Sequence, residues 1–163
     1  MAALNQGSKA PTFRLPLVGG GEFSLRDELA KAPVVLAFFK ISCPVCQWAF
    51  PLYDRLAQKL KSAGVTMIGI SQDDRDSTVD FMRRFGVNFP VALDGRGYIV
   101  SNAYGLTNVP TVFEIQQDGI IATSSVSWAK EEVEAIYKKY SGQAGTTAPL
   151  FDRKERIADF KAG

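Results

Sequence analysis

The sequence predicts an α/β protein whose core is a mixed β-sheet flanked by helices. Two short and wholly apolar runs, residues 34–39 and 65–70, are typical of buried strands. A stretch with helical periodicity separates them, and such a strand-helix-strand unit places its two strands side by side and parallel. The Asp118-Gly119 pair between two later apolar runs is a strong signal for an antiparallel hairpin. These signals predict parallel neighbours in the core and a hairpin later in the chain.

The chain is expected to begin with an edge strand and a short helix. Residues 12–17 alternate weakly between apolar and polar, and Pro16 limits the ladder hydrogen bonds that this strand can make. The glycines at 19–21 then turn the chain. Ser24 is followed three residues later by Asp27, which resembles a capping box and predicts a short helix.

The central part of the chain is predicted from its apolar pattern. Residues 34–39 suit a strand that is covered on both faces. Residues 43–62 carry apolar side chains at the four-residue stagger of a helix face, with Pro44 in the tolerant first turn. Pro51 lies inside this helix and is expected to kink it. Residues 65–70 form the next buried strand.

The rest of the chain continues the alternation of helices and strands. The predicted elements are a helix over 77–85, a strand over 89–93, a turn over 94–97, a helix over 98–104, strands over 111–115 and 120–125, and a helix over 128–140. Ser127 is predicted to cap the last helix. We expect one domain over residues 1–141 and a C-terminal tail over residues 142–163 that includes a short docked helix around 152–160. The apolar side chains of this tail are expected to dock on its own domain.

Composition excludes several classes of function. The chain has 163 residues, of which 46% are hydrophobic and 22% charged, and this suits one globular domain with a full core. The net charge of +2 is spread along the chain, so we expect no nucleic-acid partner. No run of apolar residues is long enough for a membrane span or a signal peptide. We expect a cytoplasmic protein, with an exported form that has lost its signal as the alternative.

The two cysteines of the chain, Cys43 and Cys46, are the main candidates for chemistry. They follow the predicted central strand and begin the predicted helix, where free backbone N–H groups and the helix dipole favour a thiolate. The second sulfur comes round after one helical turn and can attack a mixed disulfide formed by the first. The sequence therefore predicts a redox pair.

Three other roles for the two cysteines are weaker. A closed zinc site needs four ligands, and the chain has no histidine and no third cysteine. Only a four-cysteine site between two chains would satisfy zinc, so we expect no metal. A structural disulfide would close a very short loop and add little stability. Two buried thiols that act as small hydrophobic groups are the third alternative.

The motifs together resemble the thioredoxin-like redoxins, which include thiol-disulfide oxidoreductases and AhpC/TSA-type redoxins. The matching segments are Gly7-Ser8-Lys9-Ala10-Pro11-Thr12-Phe13 with Phe23-Ser24-Leu25, the strand that leads into Cys43-Pro44-Val45-Cys46, Gly69-Ile70-Ser71, and Val109-Pro110-Thr111. The resemblance covers nearly the whole chain before the tail. It implies a thioredoxin-like fold and exchange of a dithiol with the disulfides of proteins or small molecules.

The resemblance also assigns roles to residues. It implies that Cys43 is the nucleophile, that Cys46 resolves, and that Pro110 is cis and faces the pair. The backbone of Val109 would then pair with an extended substrate, beside the Pro44-Val45 segment between the two sulfurs. No cofactor is implied beyond the Cys43–Cys46 disulfide. The implied partners are substrate disulfides and a recycling reductase or thiol pool, and we expect a monomer or a weak homodimer.

The sequence departs from the pattern of many thioredoxins. A buried acid often lies six residues before the first cysteine, and here that position is Ala37. Lys40, three residues before Cys43, is a candidate for tuning the pKa of the thiol, because a nearby ammonium group favours a thiolate. Glu22 is a candidate replacement for the missing acid. The alternative for Lys40 is an ordinary solvated lysine at the end of a strand.

Two other functions fit the same fold. A peroxiredoxin-like thiol peroxidase requires a threonine or serine three residues before the reactive cysteine, where this chain has Lys40, and an arginine at a position that falls here on Val109-Pro110. The other alternative is a redox-inactive binding protein that uses the surface around the cysteines or the tail. Substitution of Cys43 by serine separates the cases, because a binding protein keeps its partner and an oxidoreductase loses turnover.

Overall fold

A computed structural model describes residues 2–143 and 148–163. The elements follow one another along the chain as β1 (Arg14–Pro16), β2 (Glu22–Ser24), α1 (Leu25–Leu29), β3 (Val34–Phe39), α2 (Pro44–Ser62), β4 (Thr66–Ser71), α3 (Arg75–Phe85), β5 (Val91–Leu93), α4 (Ile99–Ala103), β6 (Thr111–Ile115), β7 (Ile121–Val126), β8 (Trp128–Ala129), α5 (Lys130–Gln143) and β9 (Phe160–Lys161). A 3-10 turn, Arg153–Glu155, precedes β9.

The core is a five-stranded mixed sheet in the order β5-β4-β3-β6-β7. Strands β3, β4 and β5 are parallel, and β6 and β7 are antiparallel to their neighbours. All six residues of β3 are buried, as expected for a strand between two layers. Its alternate side chains enter different clusters: Val35 and Phe39 pack on the side of α2 and α5, and Leu36 packs on the opposite side. The prediction of a mixed sheet flanked by helices is confirmed.

The N-terminal strand differs from its prediction. Instead of lying at the edge of the main sheet, β1 pairs antiparallel with β2 in a separate two-stranded sheet. Gly20 and Gly21 take positive φ angles of 102° and 75°, which ordinary residues rarely adopt, and they fold the chain back on itself. A single bridge between Leu17 and Ala92 joins this hairpin to β5. The predicted cap of α1 is confirmed, since the Asp27 N–H donates to Ser24 Oγ at 3.3 Å.

The C-terminal part corrects two further predictions. Ser127 does not cap a helix that begins at residue 128, because it has a positive φ of 72°, Trp128–Ala129 forms β8 and α5 begins only at Lys130. The expected short helix around 152–160 is wrong as well. Only Arg153–Glu155 is helical, and Arg156, with a φ of 48°, ends that turn. The chain then extends, and β9 pairs antiparallel with β8.

The tail packs closely on the domain. Leu150 and Phe151 are buried in the same cluster as α2 and α5. The Trp128 Nε1–H donates to the carbonyl of Ala158 at 2.7 Å, and the Arg55 guanidinium makes a two-pronged contact with the Glu155 carboxylate at 2.5 and 3.0 Å. These contacts hold residues 150–158 against α2 and β8.

Candidate active site

The two cysteines lie where the central strand passes into the longest helix. Strand β3 ends at Phe39, and Cys43 is the N-cap of α2. The Cys46 N–H donates to Cys43 Sγ at 3.2 Å, so the first sulfur accepts one of the hydrogen bonds that a helix start leaves open. Cys43 is partly exposed, whereas Cys46 is fully buried, and both are free thiols. One sulfur is therefore open to a partner and the other is sheltered one turn behind it.

A second segment of backbone meets Cys43 from the sheet. The Val109–Pro110 peptide bond is cis and precedes β6. Cys43 Sγ donates to the Val109 carbonyl at 3.4 Å. The loop itself is held by Thr111, whose Oγ1 donates to the Asn108 carbonyl at 2.8 Å. The first cysteine and the Val109-Pro110 backbone therefore lie side by side.

The surroundings of Cys46 favour its neutral form. Burial raises the pKa of this thiol far above its ordinary value, and the hydrogen bond and charge of Cys43 raise the pKa further. The negative charge of Asp73 acts in the same direction. The buried cysteine is therefore a protonated thiol at neutral pH.

Asp73 also lies at the site, and no motif in the sequence predicts this. Its Oδ2 accepts a hydrogen bond from the Ile41 N–H at 2.8 Å, in the loop between β3 and Cys43. Gln47 holds the same loop from α2, because its Nε2 donates to the Ile41 carbonyl at 2.9 Å. Asp73 follows β4, and the carboxyl ends of parallel neighbours meet at one edge of a sheet. That rule was the signal that could have identified this residue.

The remaining predicted residues fall in different places. Pro44 is exposed and Val45 is half-buried in the first turn of α2, next to Cys43. Lys40 has an exposed side chain, and its carbonyl accepts from the Cys43 N–H at 3.3 Å. Glu22 is exposed on the small β1–β2 sheet, and within residues 2–143 and 148–163 no hydrogen bond or ion pair connects it with either cysteine. The structure does not bring Glu22 to the site.

Aromatic and C-terminal residues pack beside the first turns of α2. Trp48, from the second turn of α2, packs edge-on against Trp128 with ring centroids 5.2 Å apart. The Lys161 Nζ lies 4.9 Å from the centroid of the Trp48 ring, within the range of a cation–π contact. Gly163 lines an open groove together with Lys40 and Val109. Nothing in the local sequence pattern predicted that the tail would reach this groove.

Comparisons with known proteins agree with this geometry. The family model for the AhpC/TSA family matches residues 6–124. Thiol-disulfide oxidoreductase ResA of Bacillus thuringiensis (strain Al Hakam) is 33% identical over 135 residues, which cover 82% of this chain and 77% of that protein. A solved structure from Chlorobium tepidum, assigned as thiol:disulfide interchange protein DsbE, is 27% identical with a TM-score of 0.74 and covers 85% of this chain and 97% of that one.

A solved peroxidoxin shares the same fold. Peroxidoxin BcpB of Mycobacterium tuberculosis superposes with a TM-score of 0.66 over 88% of this chain and 99% of its own, at 23% identity. A similarity at this level of sequence identity shows a shared fold and not a shared activity, since one fold supports many activities. The thioredoxin-like fold expected from the sequence is confirmed. Within residues 2–143 and 148–163, no helix is both long and apolar enough to cross a membrane.

Proposed function

This chain belongs to the AhpC/TSA family and is a thiol-disulfide oxidoreductase, and from that premise we propose that Cys43 attacks disulfides in other proteins while Cys46 resolves the product. One observation carries the assignment of roles. Cys43 is partly exposed beside the Val109 carbonyl, whereas Cys46 is fully buried one helical turn behind it. A substrate from solvent therefore meets Cys43 first.

The first step forms a mixed disulfide. The Cys43 thiolate attacks one sulfur of the substrate disulfide, the substrate S–S bond breaks, and its second sulfur leaves as a thiolate that takes a proton from water. The Cys46 N–H donates a hydrogen bond to the attacking sulfur, 3.2 Å away. The substrate backbone would lie along Val109 as an added strand.

The second step releases the substrate. Cys46 loses its proton to water and attacks Cys43 Sγ, and the bond between Cys43 and the substrate breaks. The substrate sulfur leaves as a thiolate that takes a proton from water, so the substrate departs with both of its sulfurs reduced. Two electrons have then passed from the Cys43–Cys46 pair to the substrate, and the pair is a disulfide. A reductase or a pool of small thiols must supply two electrons before the next cycle, and this recycling partner is part of the proposal.

The rate of the second step is expected to rise with pH. Since burial raises the pKa of Cys46, only a small fraction of this thiol is ionised at neutral pH. Each pH unit below that pKa reduces the thiolate about tenfold, so release of the reduced substrate should become about tenfold faster per unit between neutral and moderately alkaline pH. Rapid-quench analysis of a single turnover resolves two phases, the attack by Cys43 and the later release of the reduced substrate, and gives the rate of each. A second phase that does not change with pH would contradict a buried, protonated Cys46.

Turnover of a protein disulfide tests the proposed function. We expect the protein to catalyse reduction of insulin by dithiothreitol, and we expect Cys43→Ser to lower the rate to that of dithiothreitol alone. Hydrogen peroxide, offered in a parallel assay, should be consumed far more slowly than insulin is reduced. Faster consumption of peroxide than of insulin would replace this proposal by a peroxidase. An unaltered insulin rate in Cys43→Ser would exclude the dithiol mechanism.

A further inference from the structure

The C-terminal strap, residues 160–163, crosses the domain next to the reactive pair. Its first two residues form β9 and pair with β8. Its last residue is held at both backbone groups: the Gly163 N–H donates to Ser127 Oγ at 3.0 Å, and Asn108 Nδ2 donates to the Gly163 carbonyl at 3.1 Å. The strap is thus fixed to the loop that carries Val109 and Pro110.

Gly163 packs directly against the Val109 carbonyl. A Cβ atom built on Gly163 would lie 1.8 Å from the Val109 oxygen and 2.6 Å from its carbonyl carbon. These are backbone atoms and cannot swing aside as a flexible side chain would. Only glycine fits this position while the strap is in place, and the space beside Val109 is already filled.

The strap and an extended substrate compete for the same place. A strand that pairs with Val109 would run about 4.8 Å from its backbone. Gly163 already lies in that space, since a Cβ atom built on it would meet the Val109 carbonyl. Cys43 itself remains partly exposed. The strap therefore covers the backbone that a peptide substrate needs and leaves the attacking sulfur reachable.

We propose that the C-terminal strap selects the substrates of this protein by occupying the strand position beside Val109. This inference rests on the proposed function, since it concerns the substrate of the same cysteine pair. A small disulfide needs only Cys43 and reacts with the strap in place. A protein disulfide in an extended segment must first displace the strap, so it reacts only with the open form.

The size of the effect follows from the fraction of open molecules. A protein whose competent form is one tenth of the population binds its ligand about tenfold more weakly than a fully open one. Within the described part of the chain, the strap is held by a two-residue strand, by two hydrogen bonds at Gly163 and its packing on Val109, and by the contact between Lys161 and Trp48. Such short segments open more readily than the core. We therefore expect the strap to lower the rate of reaction with protein disulfides by about threefold to tenfold.

Two variants displace or remove the strap in different ways. Gly163→Ala forces the last residue away from Val109 because the new methyl group has no space. Deletion of residues 160–163 removes the strap altogether. The matched control is Gly19→Ala, which makes the same chemical change at a glycine with nothing within 4 Å of its Cβ position and no positive φ. The probes are insulin as the protein disulfide and bis(2-hydroxyethyl) disulfide as the small one.

We expect both variants to raise kcat/KM for insulin about threefold to tenfold and to change the rate for the small disulfide less than twofold. Gly19→Ala should match the parent protein with both probes. An insulin rate that is unchanged or lower in the deletion variant, with the small-disulfide rate retained, would overturn the inference. If the deletion variant does not fold, and its rate with the small disulfide is therefore lost, Gly163→Ala decides instead. Amide exchange at the last residue of this variant checks that its strap is released, and an insulin rate that is then unchanged or lower, with the small-disulfide rate retained, overturns the inference. If the parent protein reduces neither insulin nor the small disulfide, this result would instead contradict the proposed function.

Discussion

Replacing Cys46 by serine is expected to stop the reaction at a covalent complex between Cys43 and its substrate. Cys43 keeps its position at the start of α2 and its partly exposed sulfur, so the first attack proceeds. The serine hydroxyl is too weakly acidic to attack the mixed disulfide. Turnover of insulin should fall on the order of 100-fold or more, while a one-to-one adduct accumulates. Mass spectrometry under non-reducing conditions measures this adduct directly.

Cys43→Ser is the control for this experiment. It keeps a thiol at Cys46, but that thiol is fully buried, so no adduct should form. An adduct in Cys43→Ser and none in Cys46→Ser would reverse the two roles. Turnover of Cys46→Ser at the parent rate would show that a single cysteine suffices.

Replacing Trp128 by alanine is expected to lower the free energy of unfolding by roughly 3–5 kcal/mol, the usual cost of truncating a large aromatic core residue. Trp128 is fully buried and packs against Trp48, Tyr53 and Phe151, with ring centroids 5.2, 5.5 and 6.1 Å away. Its Nε1–H also binds the carbonyl of Ala158. The substitution leaves a cavity between α2 and the tail and removes a hydrogen bond that holds the tail.

Urea denaturation measures this loss, and Phe160→Ala is the matched control. Phe160 is also aromatic and lies on the paired strand β9, but 61% of its surface is exposed. Its truncation should change the free energy of unfolding by less than about 0.5 kcal/mol. A loss below about 1 kcal/mol in Trp128→Ala would mean that the tail and α2 do not form one packed core.

The parts of the fold predicted correctly are those specified by local pattern. Strand β3 is apolar at every position because both of its faces are covered, and the run stands out without any knowledge of its neighbours. Helix α2 carries its apolar stagger over 19 residues, and its start coincides with the cysteine pair. The proximity of Cys43 and Cys46 in the candidate site could be predicted for the same reason, since they are neighbours in the chain as well as in space.

The missed parts depend on contacts between residues that are distant in the chain. Strands β8 and β9 have two residues each and pair across more than thirty positions, so neither has a pattern of its own. Asp73 reaches Ile41 because the main sheet brings the ends of β3 and β4 together. Gly163 reaches Val109 because β9 pairs with β8 in a separate two-stranded sheet. The prediction for Glu22 rests on its residue type alone, and the turn at Gly20 and Gly21 places this residue on the separate hairpin.

The most direct test of the account is the redox titration of Cys43 and Cys46. The protein is equilibrated in graded glutathione buffers, free thiols are alkylated, and the labels on each molecule are counted by mass. The account predicts that molecules carry either two labels or none, with one reversible two-electron transition in which about 30 mV changes the ratio tenfold. Molecules that carry one label and one glutathione throughout the series, with no intramolecular disulfide in any buffer, would contradict it.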